Sequence, residues 1–138
     1  MLVRCAIALT LVGSIGTAAA DEPKAFACSF DVGLARVYEN GHFVSEPAAP
    51  LAFGIEAIDQ AAQSADLTMP HGTGHLRVVR AVNAVHFLEV VTEGFLNITT
   101  IYDKDEAKGA YPAVHSRHFG LLGQPIVSQY EGYCQAKG

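Results

Sequence analysis

Apolar and polar residues alternate along most of this chain in short runs, and turn-forming residues interrupt the runs about every eight to twelve positions. Such spacing is typical of an antiparallel sandwich or barrel. No long stretch of the sequence has the period of a helix. We therefore predict an all-β domain, a small antiparallel barrel or closed sandwich of about eight to nine strands.

The runs that predict strands follow one another from residue 26 onward. The clearest are 26–30, 34–38, 42–45, 51–57, 76–81, 85–92, 95–102, 113–119 and 126–133. Asn40-Gly41 predicts a tight hairpin, because both residues tolerate positive φ. A short run, 67–69, precedes a glycine-rich connection at 70–74 that suits another hairpin tip, and 59–65 predict a loop or a short turn.

The first twenty residues have the pattern of a cleaved signal peptide. Arg4 supplies the positive charge, residues 5–15 are almost all apolar, and Ala18-Ala19-Ala20 offers a small-residue cleavage site. An uncleaved membrane anchor is the alternative, but the apolar run is shorter than the roughly 20 residues that span a bilayer. We expect cleavage after Ala20, which leaves residues 21–138 as a single β domain.

The cysteines extend this argument to the compartment and the topology. Cys5 lies in the leader, so the mature chain keeps Cys28 and Cys134. Disulfides persist in oxidising compartments and are rare in the cytosol. We predict a Cys28–Cys134 bond between the first and last strands of a periplasmic or secreted protein, fastening the barrel where the sheet meets itself.

The charge balance narrows the classes of partner. The chain carries 9 Lys and Arg against 14 Asp and Glu, and removal of Arg4 with the leader makes the mature surface still more negative. Such a surface is unsuited to nucleic acid or to anionic membranes. The expected partner is a small molecule or another protein, which the sequence does not identify.

The densest polar cluster, Val114-His115-Ser116-Arg117-His118, is the best candidate for a binding site. On a strand, His115 and Arg117 project to the same face. If this face is interior, Arg117 needs a carboxylate, because a buried unpaired charge is very costly. Glu89 is the one carboxylate within the apolar run 85–92, so we predict a Glu89–Arg117 pair. Tyr130 shares a face with the C-terminal cysteine and joins the candidate ligand-binding residues.

Histidines suggest a second kind of site. His71 and His75 flank Gly72-Thr73-Gly74 and would form a metal site if they converged. Zinc sites use repeated close spacings such as Cys-x-x-Cys, or a histidine pair on one helical face, whereas His115 and His118 on a strand project to opposite faces. The sequence contains no Gly-x-Ser-x-Gly elbow for a serine nucleophile. No cofactor and no catalytic residue are predicted.

Three stretches also resemble small exported proteins of alphaproteobacteria: Thr99-Thr100-Ile101-Tyr102, residues 113–118 and residues 128–134. The resemblance covers the C-terminal third of the chain and implies a bacterial periplasmic or secreted setting. It brings no activity that can be assigned to a residue. The leading hypothesis is a non-catalytic barrel with a binding or structural role. The alternatives are a binder of a small polar or anionic ligand in the barrel interior, and a histidine-based metal protein or enzyme.

Overall fold

The structure is a computed structural model that describes residues 22–91, 94–120 and 123–138. The predicted signal peptide lies outside these residues. The described residues form nine strands, which are β1 (Phe26–Glu39), β2 (His42–Pro47), β3 (Leu51–Asp59), β4 (Ser64–Met69), β5 (Gly72–Arg80), β6 (Ala84–Val91), β7 (Phe95–Tyr102), β8 (Tyr111–Phe119) and β9 (Ile126–Ala136). They contain no helix long and apolar enough to cross a membrane.

Eight of these strands close into an antiparallel barrel. Each strand from β3 to β8 pairs with the next one along the chain, and β1 pairs with both β3 and β9. The closed ladder leaves the barrel strands no free edge along their paired lengths. The ninth strand, β2, pairs with the second half of β1 and extends the sheet beyond the barrel. The predicted barrel, and the Cys28–Cys134 disulfide between its first and last strands, are confirmed.

β1 is one long strand where the sequence predicts two. A register shift between Ser29 and Val32 absorbs the residues between the two apolar runs, while pairing with β9 continues on both sides of it. A bulge of this kind bends a strand without ending it. The first half of β1 therefore closes the barrel against β3, and the second half forms a hairpin with β2. Asn40 and Gly41 occupy the tip at positive φ, as predicted.

The β3–β4 and β4–β5 connections are shorter than the sequence predicts. β4 begins at Ser64, within the predicted loop 59–65, because Ala65 and Leu67 alternate inward while Asp66 turns to solvent. Gln63 at positive φ ends the preceding turn. β5 begins at Gly72, so the hairpin tip contains two residues, 70 and 71, rather than the predicted five.

Inward side chains form the core of the barrel and leave a cavity at each end. The most deeply buried of them are Phe30, Ile55, Val78, Phe87, Ile101 and Cys134. We call the end that carries the β4–β5, β6–β7 and β8–β9 connections the upper end. An eight-stranded barrel is wide enough either to be filled by its own side chains or to hold one small ligand. This barrel combines an apolar core with a partly polar upper end.

Candidate functional site

Three neighbouring strands contribute polar side chains to the upper half of the barrel. Glu89 of β6 lies opposite Asn97 of β7, and Asn97 lies opposite Arg117 of β8. Side chains on a strand alternate between faces, and these three residues share the inward face with core residues such as Phe87 and Ile101. The strand register therefore arranges a carboxylate, an amide and a guanidinium in one row across the interior.

These residues line a cavity of about 240 Å³ at the upper end, which we call the upper cavity. Its polar residues are Glu89, Asn97, His115 and Arg117, and its apolar wall consists of Phe53, Leu67, Met69, Phe95 and Phe119. The Phe95 and Phe119 rings pack edge to face with their centroids 4.6 Å apart. The upper cavity thus combines opposite charges on one side with an apolar wall on the other.

Asn97 occupies the position between the two charges. Its Nδ2 donates a hydrogen bond of 2.7 Å to Glu89 Oε2. Within the described part of the chain, Glu89 and Arg117 form no ion pair, so the direct contact predicted from the sequence is not made. The physical reason is the strand order, which places β7 between the two charged strands. Asn97 Oδ1 and Arg117 Nε are buried without a hydrogen-bond partner among the described residues.

His115 lies below Arg117 on β8 and is 5% exposed. Its Nδ1 shares a hydrogen bond of 2.8 Å with Thr99 Oγ1, while Nε2 has no partner among the described residues. The rings of Phe53 and Tyr130 pack against it, with centroid distances of 5.2 and 5.9 Å. Burial, reinforced by the Arg117 guanidinium, lowers the pKa of His115 from 6.5 to about 4. The imidazole is therefore neutral at physiological pH.

Because the pKa of His115 is lower in the folded than in the unfolded state, stability should fall as the pH falls. In the unfolded chain His115 takes up a proton near pH 6.5, whereas in the folded protein it takes up this proton only near pH 4. We expect this residue to remove on the order of 3 kcal/mol from the free energy of unfolding across that window. Above it, His115 should add no pH dependence. Urea titrations at a series of pH values measure the effect.

The test of this pH dependence is the difference between two variants. His115→Asn should flatten the pH profile between 6.5 and 4, because asparagine does not titrate. Gln129→Asn, which changes an exposed residue of β9 that carries no ionisable group, should leave the profile unchanged. The part of the pH dependence that comes from carboxylates is common to all three proteins, so it cancels in the comparison. Equal slopes for the wild type and His115→Asn would contradict the depressed pKa.

The remaining predicted site residues lie outside the upper cavity. Tyr130 is buried beneath it, against His115, and does not line it. His71 lies in the two-residue turn between β4 and β5. His75 lies on β5, three residues after Gly72, which corresponds to about 10 Å along the strand. His75 Nδ1 contacts Asp66 Oδ1 at 3.0 Å on the outer surface. In the described ranges, no three His, Cys, Asp or Glu residues group as ligands for one metal ion.

Neither a family model nor a curated protein nor a solved structure matches this chain.

A second cavity, of about 150 Å³, lies at the lower end of the barrel. An ion pair of 2.6 Å between Glu22 and Arg80 lies at its edge, and Phe26, Phe87 and Ile101 contribute to its lining. None of the buried polar atoms without a partner in the described structure belongs to this cavity. Among the described residues, every buried polar side-chain atom without a partner belongs to a residue of the upper cavity.

Sequence reasoning missed two residues of the upper cavity region. In the sequence, Asn97 stands out only as part of an Asn-Ile-Thr triplet. A signal was nevertheless present, because Asn97 is a polar residue in an apolar strand and its even spacing from Ile101 puts both side chains on one face. The glycine-rich pattern places Gly74 in a turn, but it lies within β5. A Cβ at Gly74 would come 2.7 Å from Glu89 Oε1, so this glycine leaves room for the carboxylate.

Proposed function

We propose that this protein is an exported, non-catalytic β-barrel that binds a small polar molecule in its upper cavity. The observation that carries the proposal is a set of buried polar atoms, Asn97 Oδ1, His115 Nε2 and Arg117 Nε, without partners among the described residues. Buried polar groups in folded proteins almost always have hydrogen-bonding partners. Three such groups around one cavity favour a polar guest.

The dimensions of the upper cavity support a guest of metabolite size. Pockets for drug-sized ligands run from about 300 to 1,000 Å³, and this cavity measures about 240 Å³. A few convergent polar groups on an otherwise apolar wall are the usual composition of such sites. A small molecule with a polar head and a short apolar part matches both the volume and the lining.

Two observations support an exported setting. The Cys28–Cys134 disulfide is typical of a non-reducing compartment. The pattern of the first twenty residues is that of a signal peptide, and the resemblance to exported alphaproteobacterial proteins agrees with it. In a periplasmic or secreted location the barrel would meet small solutes directly.

The proposed function is tested by nuclear magnetic resonance of the purified, disulfide-bonded protein with a panel of small carboxylates, amines, amino acids and polyols at millimolar concentration. We expect at least one compound to bind saturably and to shift the side-chain resonances of Asn97 and Arg117. Arg117→Gln should abolish the shift at Asn97 for compounds that carry a carboxylate. Arg77→Gln, which changes an exposed arginine on β5, should keep it. A panel that leaves all upper-cavity resonances unmoved would rule out this function.

A further inference from the structure

The two charges of the upper cavity are opposite, equal and separated. Glu89 supplies one carboxylate and Arg117 one guanidinium, and the two form no ion pair in the described structure. The neutral imidazole of His115 adds no charge. The cavity is therefore neutral as a whole but strongly polarised from β6 to β8.

The distance between the charged strands determines what can bridge them. Neighbouring strands lie about 4.8 Å apart, so the backbones of β6 and β8 are about 10 Å apart with β7 between them. The Glu89 and Arg117 side chains both reach inward and border one cavity of about 240 Å³, yet they form no ion pair in the described structure. This arrangement suits a compact molecule whose two opposite charges lie close together, with one charge-assisted hydrogen bond at each end.

We propose that the upper cavity binds a small zwitterion with an apolar side chain, of the class of the α-amino acids. Its anionic group is held by Arg117 and its ammonium group by Glu89, while Asn97 Oδ1 accepts a further hydrogen bond. The side chain packs against Leu67, Met69 and the other apolar lining residues. This inference rests on the proposed function and names its ligand class.

Charge compensation favours a zwitterion over a simple ion. A monocarboxylate on Arg117 would displace water and leave the Glu89 carboxylate without a counter-charge. A monoamine on Glu89 would do the same to Arg117. An unpaired charge in a desolvated site is very costly. Each of these ligands therefore pairs with one charge of the site, and the cost of leaving the other charge unpaired weakens its binding. A zwitterion compensates both charges.

Gly74 makes a second, independent contribution to this arrangement. Its missing side chain leaves space beside Glu89, since a Cβ would come 2.7 Å from Oε1 and 3.7 Å from Cδ. Alanine at this position would displace the carboxylate without removing its charge. Gly74 is therefore a positioning residue for the ammonium end of the site.

The test compares three probes with one carbon skeleton by isothermal titration calorimetry on the disulfide-bonded protein. L-leucine carries both charges, 4-methylpentanoate lacks the amine, and 3-methylbutylamine lacks the carboxylate. We expect leucine to bind about tenfold or more tightly than either single-charge probe, as expected for one added charge-assisted hydrogen bond. Leucine binding no more tightly than the better of the two would overturn the inference.

Variants assign each end of the ligand. Glu89→Gln and Gly74→Ala should each weaken leucine and the amine by about tenfold and leave 4-methylpentanoate unchanged or tighter. Arg117→Gln should weaken leucine and 4-methylpentanoate and spare the amine. Glu131→Gln, which changes an exposed carboxylate on β9, should alter none of the three affinities. Near-ultraviolet circular dichroism checks that each variant is folded.

The outcomes separate the ligand class from the proposed function. If other compounds of the panel bind at the upper cavity and none of the three leucine-derived probes does, the zwitterion is wrong and the binding function stands. If Glu89→Gln weakens all three probes equally, Glu89 has only a structural role and the assignment of the ammonium end fails. An empty panel overturns both.

Discussion

Replacing both Cys28 and Cys134 by alanine should lower the free energy of unfolding by about 4 to 5 kcal/mol. The bond joins residues 106 positions apart, and the chain-entropy model gives about 4.7 kcal/mol for a loop of 100 residues. Domains of this size are stable by only about 5 to 15 kcal/mol in total. The variant is therefore expected to be marginally stable at 25 °C.

The location of the bond adds a topological reason for this large effect. Cys28 and Cys134 are direct cross-strand partners in the β1–β9 ladder, and both side chains are buried in the core. The pairing of β1 with β9 is the most non-local contact of the barrel, because it joins the two ends of the described chain. Without the crosslink, the full loop-closure entropy opposes this pairing.

Urea unfolding of the oxidised wild type, the reduced wild type and the double alanine variant measures the contribution. Reduction should reproduce most of the loss in the variant, because it breaks the same crosslink while keeping both side chains. The oxidised protein should also show a smaller dependence on urea, since its unfolded state is more compact. Unchanged midpoints in the variant and in the reduced protein would contradict a stabilising closure.

The barrel could be predicted from the sequence because its strongest signals are local. Alternation shows which residues of a strand share a face, and Asn40-Gly41 specifies a hairpin through its backbone preferences. The pairing of Cys28 with Cys134 follows from their number and from the compartment. The first two inferences need only residues that are close in sequence. The third needs only a cysteine count that allows a single pairing.

The candidate site could be predicted only in part, because it depends on register. Alternation correctly puts His115 and Arg117 on one face. It does not say which residue of β7 lies between the charges of β6 and β8. Asn97 occupies that place through the pairing of β6, β7 and β8. A pairing register is set by the whole sheet and its turns rather than by one strand.

The bulge in β1 was outside the reach of sequence patterns for a related reason. Asp31-Val32-Gly33 is typical of an interruption between two strands, yet pairing with β9 resumes directly at Val32 and carries β1 across it. Bulges are recognised by the partner strand, which sets how many residues oppose each other. The close approach of β9 to β1 beside this bulge likewise has no signal in either strand alone.

Gly132→Ala should be among the most destabilising single substitutions in this chain, at roughly 4 kcal/mol or more. Gly132 faces β1 beside the bulge. A Cβ at this position would overlap the carbonyl oxygen of Ser29 and come 2.8 Å from Phe30 Cα. These are backbone atoms, so no side-chain rotation relieves the contact, and β1 and β9 must separate where the barrel closes.

Gly54→Ala provides the matched control for Gly132→Ala. Gly54 is also a barrel-strand glycine, but the nearest atoms to an added methyl group would be those of Thr68 at 3.5 Å, an ordinary contact. The control should be neutral, or stabilising by about 0.5 to 1 kcal/mol, because alanine restricts the unfolded chain more than glycine does. Urea unfolding of both variants, under oxidising conditions, compares them directly.

Gly132→Ala should also impair disulfide formation, because Gly132 and Cys134 both lie where β9 packs against β1. Cys134 lies two residues further along β9, and its Cα is 4.0 Å from that of Cys28. If β1 and β9 separate at Gly132, this approach is lost in part of the molecules, and titration should detect free thiols. Gly54→Ala should show none. The opposite result would be a Gly132→Ala protein that is fully oxidised and as stable as the control. It would mean that the β1–β9 contact tolerates a side chain at this position, and that barrel closure does not depend on the close packing of these two strands.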